Sequence, residues 1–340
     1  MVSLSAPVNV SSYVHRQKPL WNAIALTYTG LGYGGGIALL LASNGWLNAL
    51  GVALLTHSLV CAAYFAHEFM HGTVFTRRHG NEVGGTIMLW LTGSCYARFK
   101  DLAKLHIAHH VDRVDFSAFD LAELITNLPA PVRQSILVLE WLYFPAVSFM
   151  LQWRSLTAPF WNPDYRDQRR RVTLLLLTRI SLFILLGLVS FKALLLYFVA
   201  YIGMITLLRW MDAFQHTYEV FPVGTALPER DRIHEQKNTF STLLSRRYRW
   251  LNLLLLNFGY HNAHHDVMKC PWHSLHELDR DLFSGNELHY VPVTCLLANY
   301  HRFRVARIFS DQGRAVDEQG NFTPDTFYGA VGVSFLVLTC

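Results

Sequence analysis

Three clusters of histidine carry the chemistry available to this chain. His261, His264 and His265 stand at i, i+3 and i+4 in Gly259-Tyr260-His261-Asn262-Ala263-His264-His265, and His106, His109 and His110 repeat that spacing. His67 and His71 form a pair at i and i+4. On a helix such positions share one face, so each cluster presents its imidazoles in one direction. Imidazole is a borderline ligand that suits iron, zinc, copper and nickel. Eight imidazoles are too many for one such ion. They fit two ions with about four nitrogens each, leaving positions for dioxygen or water. A shell of nitrogens with few carboxylates excludes calcium and magnesium, and no C-x-x-C-H haem attachment is present. His216, in Asp212-Ala213-Phe214-Gln215-His216, is a ninth candidate ligand. Asp212, one turn before it, is placed to bond a ligand or a metal-bound water.

The elements that must position these clusters are apolar. The chain of 340 residues is 52% hydrophobic and 16% charged, which points to the membrane class and not to a soluble domain. Runs near span length cover residues 20–42, 46–66, 172–190 and 193–211. Ser43-Asn44-Gly45 and Phe191-Lys192 join them as two hairpins. The first run holds Gly30, Gly32, Gly34, Gly35 and Gly36, which suit close helix packing in lipid. Residues 84–97 are too short to span. Residues 135–153 are long enough but carry Glu140 and Pro145, and a fifth span there would put the third cluster across the bilayer from the other two. That segment is therefore expected to lie in the interface or to re-enter. The expected fold is an all-α integral membrane domain over residues 1–340. It has four transmembrane helices and a helical cap of residues 67–171 and 212–340 that holds the metal site.

Charge sets the orientation. Arg77, Arg78, Arg98, Lys100, Lys104, Arg113, Arg166, Arg169, Arg170 and Arg171 follow the first hairpin, and Arg230, Arg232, Lys237, Arg246, Arg247 and Arg249 follow the second. The opposite side shows only Lys192. The positive-inside rule then places both termini and the histidine cap on the cytoplasmic side. The net charge of +5 calls for no nucleic-acid partner; the bilayer is the partner. Cys61, Cys95, Cys270, Cys295 and Cys340 form no C-x-x-C pair and are expected to be reduced. Residues 1–12 lack a basic stretch followed by an apolar core, so no cleaved signal peptide is expected. Arg179 falls within the third run and is expected to snorkel to the interface or to face the interior and hold an anionic group. His57, mid-span, is expected to pack. Residues 327–338 are apolar but too short to span, and are expected on the membrane or against the domain. Trp210, Trp250 and Trp272 are expected to mark the membrane interface. Arg98, Lys100 and Lys104 read as a membrane-facing basic face.

The order H-x-x-x-H, H-x-x-H-H and a late H-x-x-H-H, set around two apolar hairpins, resembles the membrane fatty acid desaturase superfamily. That group also includes acyl and alkane hydroxylases, carotenoid ketolases and alkene-forming decarboxylases. The resemblance runs from about residue 20 to residue 265. It implies a non-haem centre of two iron ions that activates dioxygen, a lipid or fatty-acid substrate, and His216 as an extra ligand. Fused members carry an H-P-G-G haem motif, which is absent here. Electrons are therefore expected from a separate carrier of ferredoxin or cytochrome type. The expected reaction is oxidation of an unactivated C–H bond of an acyl chain, by desaturation, hydroxylation or decarboxylation to a terminal alkene. Carotenoid ketolase or hydroxylase and alkane hydroxylase activity are the alternatives within the group.

Two other classes compete. His67-Glu68-Phe69-Met70-His71 is a literal H-E-x-x-H, in which two histidines bind zinc and the glutamate is a general base, as in a membrane protease. That reading leaves six clustered histidines unused. A transporter with a histidine-lined path would spread its histidines through the apolar runs, whereas these sit at or beyond the ends. His15, His79, His234, His273, His276, His289 and His301 lack paired spacing and read as ordinary polar or packing residues.

Overall fold

The computed structural model describes residues 9–317, 319–331 and 335–337. It is mostly helical. The first two helices, α1 (Pro19–Leu41) and α2 (Gly45–His71), pack along each other. Their turn is capped by Asn44, whose side chain accepts from the N–H groups of Trp46 and Leu47. Asn48 Nδ2 then donates to the last carbonyls of α1, 2.9 Å from that of Leu39. Glycine matters here through size. A methyl group at Gly36 would sit 2.9 Å from Leu55 Cβ, and one at Gly32 only 2.2 Å from Ser58 Oγ, so the backbones approach closely.

Beyond α2 come α3 (Arg78–Leu91) and α4 (Phe99–Asp112), then the short strand β1 (Asp115–Ser117) and α5 (Leu121–Thr126). Residues 135–153 form no single helix. They divide between α6 (Ala130–Trp141) and α7 (Ala146–Trp161), which at 12 and 16 residues are each too short to cross about 30 Å of hydrocarbon. The break falls where Tyr143 takes φ 65° and Pro145 precedes the new helix. Glu140 is buried and accepts from the N–H of Val147, so the polar residue that marks this segment ties its two halves together.

The second pair is α8 (Arg169–Val189) and α9 (Phe191–Asp212). Among the described residues four stretches are long and apolar enough to cross a membrane: Pro19–Leu41, Gly45–His71, Pro163–Val189 and Phe191–Asp212. They cover the four expected runs. Lys192, in the first turn of α9, donates to the Ala42 carbonyl at 2.6 Å and to Asn48 Oδ1 at 2.9 Å, so the two inter-helix turns lie together. Helix α2 is the central one, buried continuously from Ser58 to His71, whereas α8 buries only Val172. After α9 follow β2 (Val220–Pro222), which pairs parallel with β1, and then α10 (Arg232–Lys237), α11 (His261–Asp266), α12 (Leu275–Leu282) and α13 (Val293–Arg302).

Several expectations are refined. Arg179 donates to the carbonyl of Trp90 at 2.7 Å, near the C-terminal end of α3 where helix carbonyls lack partners. Mid-span His57 is satisfied on both nitrogens, by Tyr28 Oη at 2.6 Å and the Leu254 carbonyl at 2.8 Å. Trp272 is not an interfacial residue. It is buried, its indole N–H donates to Asn22 at 2.9 Å, and it packs against Trp21 and Phe65. Trp250, by contrast, is 63% exposed. Arg98 bonds Asp101 and Asp167, so part of the basic face is neutralised. Phe327, Phe335 and Leu336 are buried in the domain, while residues 332–334 and 338 of that stretch lie outside the described residues. Cys61, Cys95, Cys270 and Cys295 are free thiols, and Cys340 and residues 1–8 lie outside the described residues.

Candidate metal centre

Each cluster sits at the end of an element that aims it inward. His67 and His71 occupy the last turns of α2, which stops at Gly72 in the left-handed conformation (φ 69°). His106, His109 and His110 close α4, which stops at Arg113. His261, His264 and His265 fill the six-residue α11, and His216 follows α9. The strand pair matters here: β1 follows the second cluster, β2 follows His216, and their pairing draws the two together. An isolated bridge from His216 to Thr239 extends the same arrangement.

The nine imidazoles meet in one buried cage of two halves. His67, His71, His106, His110 and His264 form one group, with ligating atoms all within 4.8 Å of one another. His71 Nε2 lies 2.9 Å from His106 Nε2 and 3.2 Å from His67 Nε2, while His110 Nε2 lies 3.2 Å from His106 and 3.3 Å from His264. The second half contains His109, His216 and His265. His261 joins it, its Nε2 2.8 Å from that of His216, which in turn lies 3.2 Å from His109 Nε2. Nitrogens of one kind facing each other at this range cannot all be satisfied by sharing protons. An ion with metal–imidazole bonds of about 2.0–2.1 Å holds neighbouring nitrogens roughly 3.0 Å apart at right angles and roughly 3.4 Å at tetrahedral angles. The observed spacings match that range, so the donor set fits metal ions.

Protonation agrees. Burial and the neighbouring imidazoles hold His106, His110, His216, His261 and His265 well below the usual histidine range, and His264 at about 3. These rings are neutral near pH 7, as ligands must be.

Carboxylates border the cage, and Glu235 comes close enough to His110 and His265 to form a third group with them. Glu68 is bonded by Thr73 Oγ1 at 2.7 Å and by the N–H of Trp272 at 3.1 Å. Its other oxygen lies 3.6 Å from His67 Nδ1, behind the ring and away from the cage. A glutamate so placed does not serve as the base of an H-E-x-x-H protease. Asp115 Oδ1 lies 3.0 Å from His109 Nδ1, and Glu235 Oε1 lies 3.1 Å from His265 Nδ1. Burial raises the carboxyl of Asp115, but its bonds to His109 and Gln312 outweigh this and hold it below the usual range. Burial pushes Glu235 up against the pull of Arg113.

Asp212 is half-buried one turn before His216, outside the histidine groups, and both of its oxygens are buried without a hydrogen-bond partner among the described residues. The Tyr64 hydroxyl, which interacts with it electrostatically, is likewise unpartnered. Tyr64 stacks on Phe258 at 4.4 Å, and Phe258 and Phe335 cover His67 at 4.8 and 5.5 Å. His273 and His276 stay outside the cage; His273 is buried with Nδ1 3.0 Å from Ser274 Oγ. Tyr64 and Phe258 each stand three residues before a histidine cluster, a weak signal that the histidine pattern alone does not flag, and Phe335 lies far beyond the last cluster. Asp115, five residues after the second cluster, offered a weak signal, and Glu235 offered none.

A family model described as fatty acid desaturase matches residues 44–296, most of the chain and all three histidine clusters. A search of curated proteins finds no match.

Proposed function

Because the chain belongs to the fatty acid desaturase family, we propose that it is an integral-membrane oxidoreductase acting on a fatty acid or acyl chain with two iron ions and dioxygen. The nine clustered imidazoles carry this reading: they face one another inside the protein and are spaced as ligands. His67, His71, His106, His110 and His264 would hold one ion, and His109, His216, His261 and His265 the other. Bound iron would supply the activation of dioxygen needed to oxidise an unactivated C–H bond. The protein's own groups do the rest. Phe258 and Phe335 cover the cage with apolar surface, which excludes water and accepts a hydrocarbon chain. Asp212, whose oxygens are buried without a partner among the described residues, offers them for orienting a water or a proton beside His216.

The joined turns at Asn44 and Lys192, with the histidines at the opposite helix ends, support two hairpins and a cap on one side. The distribution of basic residues supports a cytoplasmic side for that cap, with electrons supplied by a separate ferredoxin or cytochrome. Elemental analysis of the purified chain is expected to give about two irons. Incubation with an electron-transfer system and a fatty-acid mixture is expected to give oxygen-dependent products by mass spectrometry. One zinc per chain with Glu68-dependent proteolysis would overturn the proposal. Tags near Arg169 and at the C-terminus are expected on the same side of the membrane, opposite a tag at Ser43.

A further inference from the structure

The two halves of the cage are backed differently. In the half built from His67, His71, His106, His110 and His264, the outer Nδ1 atoms of His67, His71, His110 and His264 meet no hydrogen-bond acceptor among the described residues. The nearest acid, Glu68, takes the bonds of Thr73 and Trp272 on Oε2, and its Oε1 stays 3.6 Å from His67 Nδ1. In the other half, two of the four rings meet a carboxylate through Nδ1, His109 at Asp115, where it also faces the Val114 carbonyl at 2.9 Å, and His265 at Glu235.

Both carboxylates are themselves held. Gln312 donates to Asp115 Oδ2, and Arg113 Nε donates to Glu235 Oε2 at 2.9 Å. Their supports come from separate parts of the chain. Asp115 opens β1, Arg113 ends α4, Glu235 lies on α10 and Gln312 comes from the C-terminal region. An acceptor at Nδ1 fixes the tautomer with hydrogen there, so the Nε2 lone pair points into the cage, and it makes that lone pair more basic.

We infer that Asp115 and Glu235 are positioning residues that anchor a single metal ion, the one in the half formed by His109, His216, His261 and His265. This rests on the two-ion reading of the cage. The two acids lie on different elements yet serve the same half, so their removal must weaken the same ion.

The test uses the full-length chain in detergent, loaded with iron, exposed to a fixed chelator concentration and assayed for iron over time. Asp115→Asn and Glu235→Gln are each expected to release one of two ions about 10–100-fold faster or at correspondingly lower chelator, with the second ion unchanged. The double variant is expected to stop at one iron per chain. Adding His71→Ala to Asp115→Asn is expected to remove both. Arg113→Gln and Gln312→Leu, which leave the carboxylates in place, give the same pattern with smaller factors and serve if an isosteric variant misfolds. Wild-type protein that binds no transition metal would overturn the two-ion reading and this inference with it. Wild-type protein with two ions, and variants that keep both at the wild-type rate or shed both in parallel, would overturn this inference alone.

Discussion

The histidine cage and the cluster around Arg209, which shares the end of α9 with the approach to His216, meet burial in opposite ways. Arg209, in the last turn of α9, bonds Glu140 through NH2 at 2.9 Å and NH1 at 3.3 Å. Glu140 also accepts from the N–H of Val147 at 2.7 Å. Arg307, only 1% exposed, lies over the Tyr300 ring at 4.0 Å and donates to that residue's carbonyl. Burial brings its guanidinium down to about 10. Here opposite charges, carbonyls and a ring face pair with one another, although Nε of Arg209 and Nε and Nη1 of Arg307 stay without a partner among the described residues, and α6, α7 and α9 are held together. In the cage, groups of one kind face one another, and their lone pairs are complementary to a cation. Buried polar side chains thus mark a binding site when their partners are alike, and a structural tie when their partners are complementary.

The largest expected effect separates the two by metal. His71→Ala or His264→Ala removes a ligand and is expected to lower turnover more than about a hundredfold and to reduce bound iron. Helix content measured by circular dichroism should stay near the original. His273→Ala, equally buried but outside the cage, is expected to leave the iron content unchanged. Iron retained in full by both cage variants would break the comparison.

Glu140→Ala tests the other side. It leaves Arg209 charged and buried, and is expected to cost about 3–5 kcal/mol of stability. Denaturation should show that loss, while iron per folded chain stays the same. Loss of metal with little loss of stability would mean that this cluster serves the site and not the scaffold.

A smaller effect falls between the regions. Asp212→Asn is expected to keep both ions and to slow turnover by about tenfold, because the group orients what lies beside the cage without holding it. A drop to one iron would make Asp212 a ligand and enlarge the cage.

The last effect belongs to Asp279, a structural tie of a milder kind that is read only through pH. Its carboxylate accepts from Tyr290 Oη at 3.0 and 3.1 Å. Burial nevertheless pushes its pKa up from 3.8 to about 6. The folded state therefore holds the proton more tightly than the unfolded chain. This group's stability contribution is full below pH 3.8 and is lost as pH rises through about 6. The shift corresponds to at most about 3 kcal/mol. Comparing unfolding midpoints of the original chain and Asp279→Asn from pH 4 to 7 isolates it: the original should lose stability relative to the variant as pH rises. Parallel curves would show that the residue is solvated.

Much of this was legible in the sequence because it depends on local periodicity. Apolar runs of span length reveal the four long helices, since only a continuous helix satisfies its backbone in lipid. Histidines at i, i+3 and i+4 share a helix face whatever lies around them. Glu140 and Pro145 warned that residues 135–153 are not a span. Other features rest on contacts between segments distant in the chain, which no local spacing encodes. Only the tertiary structure divides nine histidines into groups of five and four. Only it turns Glu68 away from the cage toward Trp272, some two hundred residues later. It also sets Asp115 and Glu235 behind one half and brings Phe335 over His67. A helix face gives its side chains a direction, but what they meet depends on how the β1–β2 pairing, α10 and the C-terminal segment pack around them.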